Sequence, residues 1–139
     1  MELTRRETLA VGGAALLVAG LPMPAMASAV DDQINAFTGG ADVAEGGIDL
    51  IAPEIAENGN TVPIEVSADG AASILVLAAG NPTPGVGTFN FGPMAGESRA
   101  KTRIRLAGTQ DVVAVAKMAD GSFARTSKNV KVTIGGCGG

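Results

Sequence analysis

The sequence contains no histidine, no tryptophan and no tyrosine, and it contains a single cysteine, Cys137. A Ser-His-Asp or Cys-His catalytic arrangement requires an imidazole as its base, so neither can be built from this chain. A structural zinc site requires several cysteine or histidine ligands, and the same shortage excludes it. One thiol can stay free, be modified or pair with another molecule, but it cannot form a disulfide within the chain.

Positive charge is scarce before residue 99, where Arg5 and Arg6 are the only basic residues. Over the whole sequence, 14 acidic residues face 10 basic ones. Surfaces that bind single-stranded nucleic acid combine basic side chains with aromatic ones, and the basic half of this chain lacks that interleaving. We therefore expect no nucleic-acid ligand and interpret the basic residues as solvated faces of strands.

Residues 1–27 have the pattern of an export signal. Arg5 and Arg6 precede an apolar run, residues 9–21, that is too short to span a bilayer, and Ala25-Met26-Ala27 supplies a small-x-small cleavage site. Paired arginines here are typical of the twin-arginine (Tat) route, and an ordinary secretory signal with two chance arginines is the alternative. Both predict a periplasmic mature protein that begins near residue 28 and has no membrane anchor.

Residues 28–134 are expected to form one all-β domain behind a short N-terminal helix. Residues 31–40 predict the helix, because their acidic residues suit its start and their glycines suit its end. Four later segments alternate apolar with polar residues, as strands with one face in the core do. They are residues 48–50, 62–66, 104–106 and 130–134. With turn signals between the strands, the pattern predicts an immunoglobulin-like antiparallel β-sandwich.

Two further runs, residues 74–78 and 112–116, are apolar at every position. Such strands are covered on both faces, whereas a strand of a small sandwich normally has one wet face. The second face is covered either by the N-terminal helix or a loop of this chain, or by another subunit, and the pattern does not choose between these two possibilities. We take residues 74–78 as the candidate subunit interface.

The chain ends in Gly135-Gly136-Cys137-Gly138-Gly139. Glycine has no Cβ, so such a stretch is thin and does not hold itself in one shape. A thiol on this arm can enter a narrow pocket of another protein. No neighbouring base or cation favours the thiolate, so activation would come from that pocket. We predict that Cys137 is a covalent attachment point and that residues 135–139 form a flexible arm.

Other fates of Cys137 are possible. A buried core cysteine fits poorly with four flanking glycines at a chain end. An exposed thiol in an oxidising compartment can form a disulfide-linked dimer, so a periplasmic interaction module that dimerises through Cys137 is the alternative function. A catalytic nucleophile must be held in position, and a flexible mounting does not do so. We expect a non-catalytic protein without a metal or a bound cofactor.

Five segments carry a resemblance to a known family: residues 57–64, 81–84 (Asn81-Pro82-Thr83-Pro84), 102–107, 112–123 and, most specifically, 132–139. On these segments the chain resembles the SoxY family, the carrier subunits of the bacterial Sox thiosulfate-oxidising complex. Residues 67–73 differ, since the family usually has a longer stretch there. The resemblance implies an immunoglobulin-like sandwich in a heterodimer with a SoxZ-like subunit. That subunit has no signal of its own and is exported together with its partner.

The resemblance also implies a cycle of sulfur chemistry on Cys137. A c-type cytochrome partner couples thiosulfate to the thiol and forms a thiosulfonate. A sulfate-releasing hydrolase then leaves a persulfide, which a sulfane dehydrogenase oxidises further. The carrier catalyses none of these steps, so the implied function is a periplasmic sulfur carrier that presents covalent intermediates to partner enzymes.

Overall fold

The computed structural model describes residues 25–136, with side chains from residue 29 onward. In this part of the chain, one helix precedes nine strands. The elements are α1 (Ala25–Thr38), β1 (Val43–Glu45), β2 (Asp49–Ile51), β3 (Ile55–Asn58), β4 (Val62–Ser67), β5 (Ala71–Ala78), β6 (Gly85–Asn90), β7 (Arg99–Ile104), β8 (Gln110–Met118) and β9 (Phe123–Ile134). No helix between residues 25 and 136 has the length and apolar character needed to cross a membrane.

The strands form two sheets that pack as a sandwich. The larger sheet has six strands in the order β1-β9-β8-β5-β6, with β3 pairing on β9, and the smaller has the order β2-β4-β7. The all-β sandwich predicted from the sequence is confirmed. Most neighbouring strands are antiparallel, but β1 and β3 both run parallel to β9. β9 accommodates both because it has 12 residues: β1 pairs near its start and β3 at its end.

Alternation along the strands builds the core between the sheets. In β4, Val62, Ile64 and Val66 are buried, while Pro63 between them is exposed. Leu106 follows β7 and has no exposed surface. These positions confirm the period-two pattern, because residues of one parity face the opposite sheet and residues of the other parity face water.

The two wholly apolar runs are the central strands β5 and β8, and both of their faces are covered. One face packs against the smaller sheet. On the other face, a second cluster joins the strands to α1 and contains Val30, Ile34, Leu75, Leu77, Val113 and Val115. The helix, not another subunit, therefore covers this face. The candidate interface at residues 74–78 is wrong, because Leu75 and Leu77 already lie in this cluster.

The helix α1 starts earlier than the sequence pattern predicted and ends where it predicted. Asp31 and Asp32 lie in the middle of the helix, exposed to solvent, because the helix begins at Ala25. At the other end, the Gly39 amide donates to the Asn35 carbonyl at 2.8 Å, and Gly39 has a φ of 68°. A glycine in this left-handed conformation ends a helix without the steric cost of a Cβ.

Residues 67–73 form a tight connection between β4 of the smaller sheet and β5 of the larger one. The Ala68 amide donates to the Ser98 carbonyl at 3.1 Å, and the Ser98 hydroxyl donates to the Ala71 carbonyl at 2.7 Å. Ala68 and Ala71 are buried. The short segment therefore passes directly from β4 to β5, and Ser98 holds it on both sides.

Truncating Ile34 to alanine tests the packing of α1 on the sheet. Ile34 is 6% exposed, so Ile34→Ala should lower the free energy of unfolding by about 2–4 kcal/mol, measured by urea denaturation. Ile51→Ala is the matched control, because Ile51 is 59% exposed and its truncation should cost about 0.5 kcal/mol or less. Equal losses for the two variants would contradict the packing.

Candidate functional site

The predicted attachment residue lies just beyond the described part of the chain. The predicted site residues outside residues 25–136 are Arg5, Arg6, Cys137, Gly138 and Gly139. The structure does describe Gly135 and Gly136, and with them the place where the chain leaves the sandwich. We call this place the arm root and define it by Gly59, Leu106, Ala107, Gly135 and Gly136.

The last strand, β9, brings the chain to the arm root. Its end pairs with β3, where Ile134 lies opposite Asn58, and the Val132 amide donates to the Thr109 hydroxyl at 3.0 Å. Val132 packs against the core, but Ile134 on the same face is 65% exposed. The sequence pattern placed residue 134 in the core. That placement is wrong, because no other side chain covers Ile134 enough to keep it from solvent.

Three backbone hydrogen bonds tie three segments of chain together at the arm root. The Gly59 amide donates to the Ile134 carbonyl at 2.7 Å, and the Leu106 amide donates to the Gly59 carbonyl at 2.8 Å. The Gly136 amide donates to the Leu106 carbonyl at 2.8 Å. The last bond attaches Gly136 to the loop that follows β7, so the chain is held against the sandwich as far as Gly136.

The glycines of the arm root are required by close approach of backbones. A Cβ on Gly59 would collide with the Leu106 carbonyl oxygen and lie 2.7 Å from the Gly136 nitrogen. A Cβ on Gly135 would collide with the Ala107 carbonyl oxygen, and one on Gly136 would lie 2.8 Å from the Gly59 carbonyl oxygen. Gly135 and Gly136 thus have a packing role that the sequence analysis did not assign. The flexibility of residues 135–139 stays a prediction.

Two buried amide side chains hold the loop that receives Gly136. Asn81 and Gln110 are 3% and 7% exposed. The Asn81 Oδ1 atom accepts from the Ala107 amide at 2.9 Å and from Gln110 Nε2 at 2.8 Å, while Asn81 Nδ2 donates to the Arg105 carbonyl at 2.8 Å. Between residues 29 and 136, no buried side-chain polar atom lacks a hydrogen-bond partner. These bonds fix the loop, residues 105–109, from inside the sandwich.

Sequence reasoning identified part of this arrangement without assigning its role. Asn81 and Gly59 both belong to segments that carry the family resemblance. Gln110 was missed. A polar residue at the start of an apolar strand gives little signal, because its partner Asn81 lies 29 positions earlier and only the fold brings them together.

The described surface around the arm root offers no metal centre. Among residues 25–136, no group of three or more His, Cys, Asp or Glu side chains could hold a metal ion. Asp120 lies in the turn between β8 and β9, at the opposite end of β9 from the arm root. The Ser122 hydroxyl and amide both donate to the carboxylate of Asp120, which lowers its pKa.

An open groove of about 860 Å³ lies over the outer face of the smaller sheet. Its apolar lining includes Ile51 and Pro63, and Lys101 and Arg103 of β7 add positive charge. Lys101 forms an ion pair with Glu65 at 3.2 Å. Lys101 and Arg103 are exposed on alternate positions of β7, which agrees with the interpretation of the basic residues as a solvated strand face.

Replacing Asn81 tests the internal support of the loop. Asn81→Ala leaves the Ala107 amide and the Arg105 carbonyl without their partner, and an unpaired buried polar group costs about 1–3 kcal/mol. We expect the free energy of unfolding to fall by about 3 kcal/mol in urea denaturation. Asn129→Ala is the matched control: Asn129 donates to Asp111 at an exposed site, and its loss should cost less than about 1 kcal/mol. If the two variants lose similar amounts of unfolding free energy, Asn81 does not support the loop as described.

Adding a methyl group at Gly59 tests the arm root itself. Gly59→Ala should lower the free energy of unfolding by about 1–3 kcal/mol, because the new Cβ overlaps the Leu106 carbonyl. It should also speed hydrogen exchange at the Gly136 amide, measured by NMR. Gly108→Ala is the control, since a Cβ there has no atom within 4 Å. If exchange at Gly136 is unchanged in Gly59→Ala, the hydrogen-bonded arm root is wrong.

Comparison with known proteins supplies a family for this geometry. A family model described as "Sulfur oxidation protein SoxY" matches residues 34–137, a range that includes the whole arm root and ends on Cys137. The solved structure of the sulfur carrier protein SoxY from Chlorobium limicola f thiosulfatophilum is 37% identical, with a TM-score of 0.68 over 78% of this chain and 99% of that one. The search of curated proteins returned no match.

A more distant solved structure shares the fold. The superoxide reductase (neelaredoxin) from Ignicoccus hospitalis is 17% identical, with a TM-score of 0.55 over 63% of this chain and 80% of that one. At this level of identity the likeness concerns the sandwich alone.

Proposed function

Since the chain belongs to the SoxY family of sulfur oxidation proteins, we propose that it is a periplasmic carrier that holds intermediates of thiosulfate oxidation covalently on Cys137. The observation that carries this proposal is the family match that runs through the arm root to Cys137, the one thiol of the chain. The 37% identical relative is itself named a sulfur carrier protein.

The first step of the proposed cycle joins thiosulfate to the thiol. Cys137 and thiosulfate form a new S–S bond, the thiol proton leaves to solvent, and two electrons pass to a c-type cytochrome partner. The product is a cysteine S-thiosulfonate. This chain has no histidine to act as a base and no described metal group, so the partner supplies both the oxidant and the environment that favours the thiolate.

The later steps restore the thiol. Water attacks the terminal sulfur of the thiosulfonate, sulfate leaves, and a persulfide stays on Cys137. A sulfane dehydrogenase then adds three oxygen atoms from water to the outer sulfur, passes six electrons to a c-type cytochrome acceptor and releases the protons to solvent. Hydrolysis of the resulting S-sulfonate releases a second sulfate and the free thiol.

The carrier contributes delivery rather than catalysis. A protein that binds every intermediate equally well accelerates no chemical step. Covalent attachment instead keeps the sulfur from diffusing away between enzymes. We propose that a SoxZ-like subunit, exported with this chain by the twin-arginine route, completes the carrier. The arm root supports this role because it joins a thin terminal segment to a well-packed end of the sandwich.

Intact mass spectrometry tests the proposal. The mature protein is purified from cells grown on thiosulfate and measured with and without a reducing agent. We expect added masses of sulfur and of thiosulfonate on the Cys137 peptide, lost on reduction and absent from a Cys137→Ser variant. If cells that oxidise thiosulfate yield only free thiol and disulfide-linked dimer, the carrier function is wrong and a module that dimerises through Cys137 replaces it.

A further inference from the structure

The structure limits how far Cys137 can move from the sandwich. Ile134 is the last residue of β9, and its carbonyl accepts the hydrogen bond from the Gly59 amide. Cys137 follows three residues later, and consecutive Cα atoms are about 3.8 Å apart. The Cα atoms of Ile134 and Cys137 are therefore at most about 11 Å apart. This limit holds even if the bond between Gly136 and Leu106 opens.

Any protein that encloses the Cys137 thiol must therefore approach the arm root. A catalytic group buried in a pocket lies behind the rim of that pocket. With a link of about 11 Å, the rim must reach the end of the sandwich around Ile134. If the proposed carrier function holds, each enzyme that loads or unloads Cys137 meets this same surface.

That surface presents an exposed apolar side chain on a rigid support. Ile134 is 65% exposed although it lies on the core-facing side of β9. Its backbone is paired with Asn58 and bonded to Gly59, so the side chain projects from an ordered strand. Exposed polar residues lie beside it, among them Asn58, its partner across the strands, and Thr109, which bonds to Val132. An apolar centre with a polar rim is the usual anatomy of a protein–protein interface.

Other exposed apolar side chains of the described residues are not held close to Cys137 by the chain. Ile51, Ile55, Val86 and Met94 are also exposed. None of them is within a few covalent bonds of Cys137, so the chain itself does not bring a partner to them. Ile134 is the one member of this described group that a partner reaching the thiol must pass.

We propose that Ile134 is a docking contact shared by the enzymes that add sulfur to Cys137 and remove it, and that the apolar rim of their active-site entrance packs on this side chain. The inference rests on the proposed carrier function and adds to it the surface through which partners bind. We therefore expect the contact at Ile134 to determine how tightly the carrier binds its enzymes, and to have no effect on the chemical step at the thiol.

Loading kinetics test this contact. Reduced wild-type protein and an Ile134→Ser variant are incubated with thiosulfate and a periplasmic extract of cells that oxidise thiosulfate. Intact mass spectrometry then follows the addition of thiosulfonate to Cys137 as the carrier concentration is varied. Ile134→Ser should raise the carrier concentration at half-maximal rate about tenfold, as expected for losing a buried apolar contact, and leave the maximal rate unchanged. Ile134→Val should stay close to wild type.

The control variant and a small reagent separate docking from other effects. Ile51→Ser removes an isoleucine of similar exposure, 59%, from β2 and should load like wild type. Alkylation of Cys137 by iodoacetamide should proceed at the same rate in all variants, because a small reagent does not need the docking surface.

Each contrary result has its own meaning. If wild type loads and Ile134→Ser shows the same concentration dependence, the docking contact is wrong while the carrier function stands. If Ile51→Ser is impaired as strongly as Ile134→Ser, the effect is general and the assignment to Ile134 is overturned. If wild type itself takes up no sulfur, the carrier function fails and the docking contact fails with it.

Discussion

The strand β9 links the core of the sandwich to the arm root. Its first residues pair with β1, its middle pairs with β8 in the covered centre of the larger sheet, and its end pairs with β3. Val130 of β9 lies in the core and has no exposed surface, whereas Ile134 at the end of the same strand is largely exposed to solvent. At this end β9 pairs with β3, and the Ile134 carbonyl accepts a hydrogen bond from the Gly59 amide, so backbone hydrogen bonds fix the point at which the arm leaves.

Order at that end depends on polar groups inside the sandwich. Asn81 and Gln110 are buried and bonded to each other, and Asn81 also holds the backbone of residues 105–109. Buried amides are costly unless they are fully bonded, and a fully bonded network specifies one conformation. The loop therefore presents the Leu106 carbonyl to Gly136 in a fixed position. The hydrogen-bonded loop thus provides a rigid attachment for a terminal segment whose residues are almost all glycine.

The absence of an internal base suits a carrier. An exposed thiolate would react with other thiols and with oxidants, whereas a thiol without a neighbouring cation or base stays largely protonated. In the proposed function, the pocket of the partner enzyme makes the thiol reactive. The lack of histidine fits the proposed function, in which partner enzymes carry out the chemistry on the thiol.

Local pattern in the sequence determined the sandwich and the end of the helix at Gly39, since alternation and glycine stops are visible without any partner. The same kind of pattern, a lone thiol among glycines, predicts the role of Cys137, and that role stays a prediction. Residues 74–78 show the limit of such reasoning. An apolar strand looks the same whether a helix or a subunit covers it, and only the packing of Val30 and Ile34 decided for the helix. The role of Gly59 likewise came from the tertiary structure, because its contacts with Leu106 and Gly136 join segments far apart in the chain, and backbone close approach leaves no periodic trace in a sequence.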